Sequence, residues 1–155
     1  MEINLLFDDG FEDCLPEPTL TRVARTTLEH EQKAGVEMGI LITGDDLIQA
    51  LNTQYLQEDH PTDVLSFAMQ ESVPESDLFP ASADGLLHLG EVIISYPQSV
   101  RQAAERGHSA LTETATLLVH GILHLLGYDH DTPETEKAMT LRTNDIIDSL
   151  REDLV

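Results

Sequence analysis

Apolar residues along this chain fall into short blocks separated by turn-forming and acidic stretches, and the period inside each block predicts its element. EINLLF (2–7) is short and apolar and predicts a strand. Pro16 and Pro18 interrupt the chain after this strand, and Leu20, Val23, Ala24 and Leu28 then recur at helical spacing, predicting a helix from near Thr19 that Gly35 ends. VEMGILIT (36–43) predicts a buried strand. GDD (44–46) supplies a turn and an N-cap for a helix over 47–56, which Pro61 closes off. DVLSFAM (63–69) and LLHLGEVIIS (86–95) predict two further strands. Between them, QESVPESDLFPASADG (70–85) is acidic and rich in Ser and Pro, as expected of a surface loop that makes the pair a wide hairpin. Pro97 suits the first turn of a helix running to Gly107, and Ser109 caps a long apolar helix that ends at Gly127. Thr132-Pro133-Glu134 opens a last amphipathic helix to about Leu150, with Met139, Leu141, Ile146, Ile147 and Leu150 on its apolar side. There are no repeats and no composition break, so residues 1–155 are expected to form a single domain. Strands and helices mix without regular alternation, so the expected class is α+β.

Composition narrows this only a little. The chain has 155 residues, 41% of them apolar, enough to bury a core. No apolar run approaches the roughly 18–20 residues of a membrane span, and the N-terminus turns acidic at once, unlike a secretory signal. Cys14 is the only cysteine, so no internal disulfide forms, and a cytoplasmic location is expected. Charge changes the picture more. Eight Lys and Arg face 29 Asp and Glu, for a net −21. Such a surface repels polyanions, so nucleic acid cannot be held by a broad basic field.

The candidate chemistry lies in HGILHLLGYDH (120–130). His120 and His124 are four apart, which on a helix places both imidazoles on one face, one turn apart. Gly127 permits the left-handed residue that ends a helix, and His130 follows three positions later, where it can swing back. Three neutral nitrogens and an open position describe a catalytic zinc site, on a central helix and the loop after it. A structural zinc would ordinarily want a fourth protein ligand, and Cys14 is distant in sequence. The spacing H-x3-H-x2-G-x2-H is also that of metzincin peptidases, but Gly121 stands where their general base would be, which weakens a peptidase reading. On sequence grounds, Gly121 is expected to leave space beside the metal for substrate. His30, His60, His88 and His108 are scattered, and surface or core packing is the plain reading of each.

The same stretch resembles the signature of the YbeY family of bacterial rRNA maturation factors. Two more segments agree in family order: LNTQYLQEDHPTDVLSFAM (51–69) and LGEVIIS (89–95). The resemblance implies a compact α+β fold with a small mixed sheet flanked by helices, and Zn2+ held by His120, His124 and His130. It implies a metal-dependent endoribonuclease acting on single-stranded rRNA, in 16S rRNA 3′-end maturation and ribosome quality control. It further implies a small-subunit ribosomal protein and an Era-type GTPase as partners.

Three positions depart from the family pattern. The family's Arg after Tyr55 is Leu56, removing a cation suited to phosphate, and no Lys or Arg lies between Lys33 and Arg101. Ala68 replaces a Pro, and Glu91 replaces an Asp. Arg101 and Arg106 are the cations expected nearest the site, unless they simply line a solvated helix face. The catalytic candidates are Asp129, which orients a ligand imidazole or acts as a base; Glu91, a base if its strand lies under the histidine helix; and Ser66, a substrate contact or else a strand hydroxyl bonded to backbone. Thr62 and Asp63 are expected to shape the turn after Pro61. A rival reading from a different class is a ribosome-assembly binding factor with a structural metal and weak or no nuclease activity.

Overall fold

The structure is a computed structural model, and it describes residues 1–56, 62–68, 87–129 and 131–154. In chain order the elements are β1 (Glu2–Phe7), α1 (Glu17–His30), β2 (Val36–Thr43), α2 (Asp45–Leu56), β3 (Val64–Ala68), β4 (Leu87–Ser95), α3 (Tyr96–Arg106), α4 (Ala110–Leu125) and α5 (Pro133–Ser149). A 3-10 turn, Arg151–Leu154, follows α5. The four strands form one sheet in the order β1-β2-β4-β3. β1, β2 and β4 run parallel, while β3 pairs antiparallel with β4 on the edge. The small mixed sheet and the α+β class are therefore as expected.

Several ends follow from local chemistry. Ser95 and Ser109 cap α3 and α4 through their hydroxyls, which accept from the backbone N–H groups of Gln98 and Thr112. Thr132 and Thr135 form a reciprocal capping box at the start of α5. The first helix ends earlier than the sequence suggests, at His30 rather than Gly35, because Gln32 takes a left-handed conformation (φ 61°) and the Lys33 N–H donates to the Leu28 carbonyl. The 70–85 segment, Pro61 and His60 lie outside the described residues.

The sheet has two unlike faces, set by the two-residue period of its strands. Val36, Met38, Ile40 and Ile42 of β2 join Val92 and Ile94 of β4 against α1, α4 and α5. Leu41, Ile93, Leu65 and Phe67 point the other way, against Ile48 and Leu51 of α2. Helix α4 is the hub of the first face: it packs on α1, α3, α5, β3 and β4, with Leu118, Ile122 and Leu123 fully buried. A segment packed on several sides must be largely apolar, which is why the second half of α4 reads LLVHGILHL, broken only by the two histidines on its partly exposed face.

Candidate functional site

Helix α4 delivers His120 and His124 together. Their rings are half-buried on one face, 4.8 Å apart between centroids and near perpendicular at 77°. The helix then stops in a Schellman turn: the Gly127 N–H donates to the His124 carbonyl at 3.0 Å, and the Tyr128 N–H to that of Leu123 at 3.1 Å. Gly127 holds φ 103°, a conformation that side-chain-bearing residues rarely adopt. The chain thus reverses just past the two imidazoles. His130 lies outside the described residues, and among the described residues no three metal-ligating side chains gather. Two imidazoles side by side on a helix face are donors of the kind zinc takes.

Contacts from distant segments hold the loop after α4. The Tyr128 hydroxyl donates to Glu31 Oε1 at 2.7 Å. Arg142 of α5 donates to Glu31 Oε2 at 3.0 Å and lies over the Tyr128 ring, 5.2 Å from its centroid. His30 Nδ1 is 2.8 Å from the same Glu31 oxygen. Burial by itself would raise the Glu31 carboxyl, but the Tyr128 hydroxyl, His30 and Arg142 outweigh it and hold it below the usual carboxylate range. The hydrogen bond to Glu31 chiefly, and burial next, push the Tyr128 phenol above its ordinary value. Glu31 and Arg142 escape notice in the sequence. The one signal is Tyr128 itself, since a half-buried tyrosine hydroxyl calls for a partner.

Asp129 is exposed, and its Oδ1 accepts from the Asp131 N–H at 3.3 Å, a bond that shapes the turn. Ser66, on β3, faces α4, where its hydroxyl donates to the Gly121 carbonyl at 3.1 Å. The strand thus grips the helix at the residue between the two histidine turns. Gly121 corrects an expectation. It is buried against the sheet and opens no space for substrate: a Cβ there would sit 2.7 Å from Val92 Cγ1 and 3.1 Å from Ser66 Oγ.

Glu91 falls on the far face. Strand β4 does underlie α4, through Val92 and Ile94, but Glu91 shares the orientation of Ile93 and points to the α2 side. It is 2% exposed, and its Oε1 is 2.9 Å from His88 Nε2. His88 Nδ1 in turn lies 3.2 Å from Glu37 Oε1 on β2. A register shift opposite Glu37–Gly39 brings His88 and Glu91 onto one face, although they are three residues apart. His108 and Arg106 both bind the fully buried Glu113 at 2.6 Å, so these histidines and His30 each contact a carboxylate rather than sitting in simple packing. Arg106 is thereby held roughly two turns before His120. Arg101 donates to Asp45 Oδ2 at 2.8 Å at the start of α2. Neither cation is at the histidine pair. Asp63 accepts from the Val64 N–H at 2.8 Å and from Thr62 and Gln102, so it and Thr62 shape the turn into β3 as expected. Leu56 is the last residue of α2.

Comparison of the sequence with known proteins points to one family. A profile described as Endoribonuclease YbeY matches residues 12–151. A protein of that name from Dehalococcoides mccartyi strain CBDB1 is 45% identical over 157 aligned positions, covering 98% of this chain and 95% of its own. One from Moorella thermoacetica is 47% identical over 132, with 83% of each chain covered. A Thermotoga maritima protein solved in solution superposes with a TM-score of 0.58 at 23% identity, over 97% of this chain and 93% of that one, and so shares the fold. With these matches running nearly the length of the sequence, and all three signature segments within them, the chain belongs to the YbeY endoribonuclease family.

Proposed function

We propose that the protein is a zinc-dependent endoribonuclease acting on single-stranded RNA, with His120, His124 and His130 as the metal ligands. The observation that carries the reading is the adjacent imidazole pair on α4, followed directly by a helix-ending turn that leads to His130. Bound zinc would supply a water of pKa near ~7 and neutralise charge on a phosphoryl oxygen. The rest falls to the protein's own groups. Ser66 fixes the height of α4 over the sheet by gripping the Gly121 carbonyl, which sets where His120 and His124 stand. The Glu31–Tyr128–Arg142 contacts anchor the returning loop. Asp129 bonds the backbone beyond the third histidine and is placed to orient that loop. Single-stranded rRNA is the substrate we infer, in 16S 3′-end maturation and ribosome quality control, in the cytoplasm, with a small-subunit ribosomal protein and an Era-type GTPase as partners.

The test is cleavage of a single-stranded RNA by zinc-loaded protein beside His124→Ala prepared identically, with the zinc content of both measured. Loss of zinc and of cleavage together in the variant is the expected result. Equal cleavage in both refutes the reading. A second reading, an assembly factor with weak nuclease activity, draws on Arg101 and Arg106 being tied to carboxylates away from the histidines. A large gain in cleavage by Leu56→Arg would favour a nuclease weakened by loss of that cation.

A further inference from the structure

A ribonuclease of net charge −21 whose expected phosphate-binding arginine is Leu56 must find its cations elsewhere. Four of its eight are spent far from the histidine helix's C-terminal loop or against carboxylates there is no reason to release: Arg22 pairs with Asp153, Arg101 with Asp45, Arg106 with Glu113 and Arg151 with Asp148. Two other cations, Lys33 and Arg142, stand beside Tyr128 on the loop that leads from His124 to His130. A cleft of about 350 Å³ is lined by Lys33, Glu31, Leu126, Gly127 and Tyr128. Arg142 lies over the ring of that same Tyr128.

We propose that this cleft is a phosphodiester-binding site, with Lys33 and Arg142 holding the backbone of the RNA that the histidine site acts on. The inference rests on the nuclease reading and names how its substrate is held. Lys33 is exposed and makes no ion pair among the described residues, and its backbone is fixed by the tight turn at Gln32 and by the bond to Leu28. Arg142 is committed through one nitrogen, Nη1, to Glu31, while its side chain stays 44% exposed. A guanidinium has five N–H donors in a planar fork, so the remaining ones suit a phosphate. Glu31 does not cancel the site: its two oxygens already take bonds from Tyr128, His30 and Arg142, which holds the guanidinium in one orientation before any ligand arrives. Glu31 and the exposed Asp129 together balance the two cations, so the site holds a phosphodiester by directed N–H donors rather than by a net positive field.

Binding is measured by fluorescence anisotropy, with zinc-loaded full-length protein and a short 2′-O-methyl single-stranded oligonucleotide, which is not cleaved. For single strands each lost phosphate contact lowers the slope of log K against log salt by ~0.7. Lys33→Ala, which leaves the Glu31 contacts intact, should lower it by ~0.7, and Lys33→Ala with Arg142→Ala by ~1.4, with affinity at low salt falling on the order of tenfold or more. Arg22→Ala with Arg151→Ala makes the same change in net charge elsewhere and should leave the slope unmoved. Lys33→Arg should bind like the wild type. An unchanged slope in Lys33→Ala, an equal drop in the Arg22/Arg151 control, or no binding by the wild type overturns the proposal. If His124→Ala abolishes cleavage while Lys33→Ala binds normally, the nuclease reading stands and this one falls. If the slopes shift as expected but the zinc-loaded wild type does not cleave single-stranded RNA, the cleft stands and the nuclease reading falls.

Discussion

Gly121→Ala tests whether the histidine helix is seated on the sheet through a glycine. In a solvent-facing helix position this change stabilises by up to ~1 kcal/mol, because glycine has the greater backbone freedom to lose. Here the new Cβ would stand 2.7 and 3.2 Å from the two methyls of Val92 and 3.1 Å from Ser66 Oγ. Ordinary carbon contacts lie at about 3.5–4.0 Å, so the helix or the strand must yield by roughly an ångström. Val92 is fully buried in a central strand and β-branched, so it cannot rotate out of the way. Overpacking of this kind costs about 1–3 kcal/mol, and lifting the helix also stretches the 3.1 Å bond from Ser66 to the Gly121 carbonyl, worth ~1 kcal/mol. After the helix-propensity gain is subtracted, a net loss of about 1–3 kcal/mol is expected. Urea denaturation reads this directly, as a lower midpoint at unchanged slope. The Val92→Ala background sharpens the test: with the methyls gone, adding Gly121→Ala should be neutral or stabilising, a coupling of about 1–3 kcal/mol. A Gly121→Ala protein as stable as the wild type, or more so, refutes the seating. If such a protein also cleaved poorly, the glycine would be facing substrate after all.

Other expectations can be checked alongside. Ser66→Ala should lose about 0.5–1.5 kcal/mol of stability and keep cleavage within a few-fold; a fall of orders of magnitude at unchanged stability would make Ser66 a substrate contact. Glu91→Gln should destabilise by about 1–3 kcal/mol through its buried contact with His88, yet retain zinc as the wild type does, and zinc loss in a folded variant would contradict the face assigned to it. Burial opposes ionisation of Asp45, but its bonds to Arg101 and Ser95 prevail, and its carboxyl titrates below the usual aspartate range. A depressed pKa stabilises above the unfolded value and loses that effect as pH falls through the folded one. The advantage of wild type over Asp45→Asn should therefore be full at neutral pH and vanish only below the ordinary value of 3.8; urea midpoints that converge at higher pH would contradict it.

Much of the fold is legible because its boundaries are written in local chemistry. EINLLF and VEMGILIT are strands over the spans their apolar runs mark. Serine caps and a left-handed glycine bracket α3. The parallel pairing of β1, β2 and β4 has no such local signature, since it depends on partners brought together by the intervening helices. The histidine pair is legible from its four-residue spacing, and the turn after it from Gly127. What Gly121 faces is less so: the partly exposed stripe Thr112, Thr116, His120 and His124 marks one face of α4, but a glycine beside it carries no side chain to tell open space from contact with the sheet. Glu91 is misleading because its strand does underlie α4, yet alternation puts Glu91 opposite to Val92, and only the packing shows that Val92 is the residue facing the helix.

The anchor of the loop after α4 also has a consequence in time. Tyr128 is 97 positions from Glu31, and Arg142 is 111 from it. Contacts of such long reach reward the chain only after most of its loops have closed, so they belong to the late stages of folding. During synthesis the residues of α1 emerge first and wait, α4 follows, and α5 brings the guanidinium last. A nascent chain that has released α4 but not α5 holds the paired histidines without the arginine that braces their loop. The protein thus gains a fully braced site only after its final helix has left the ribosome.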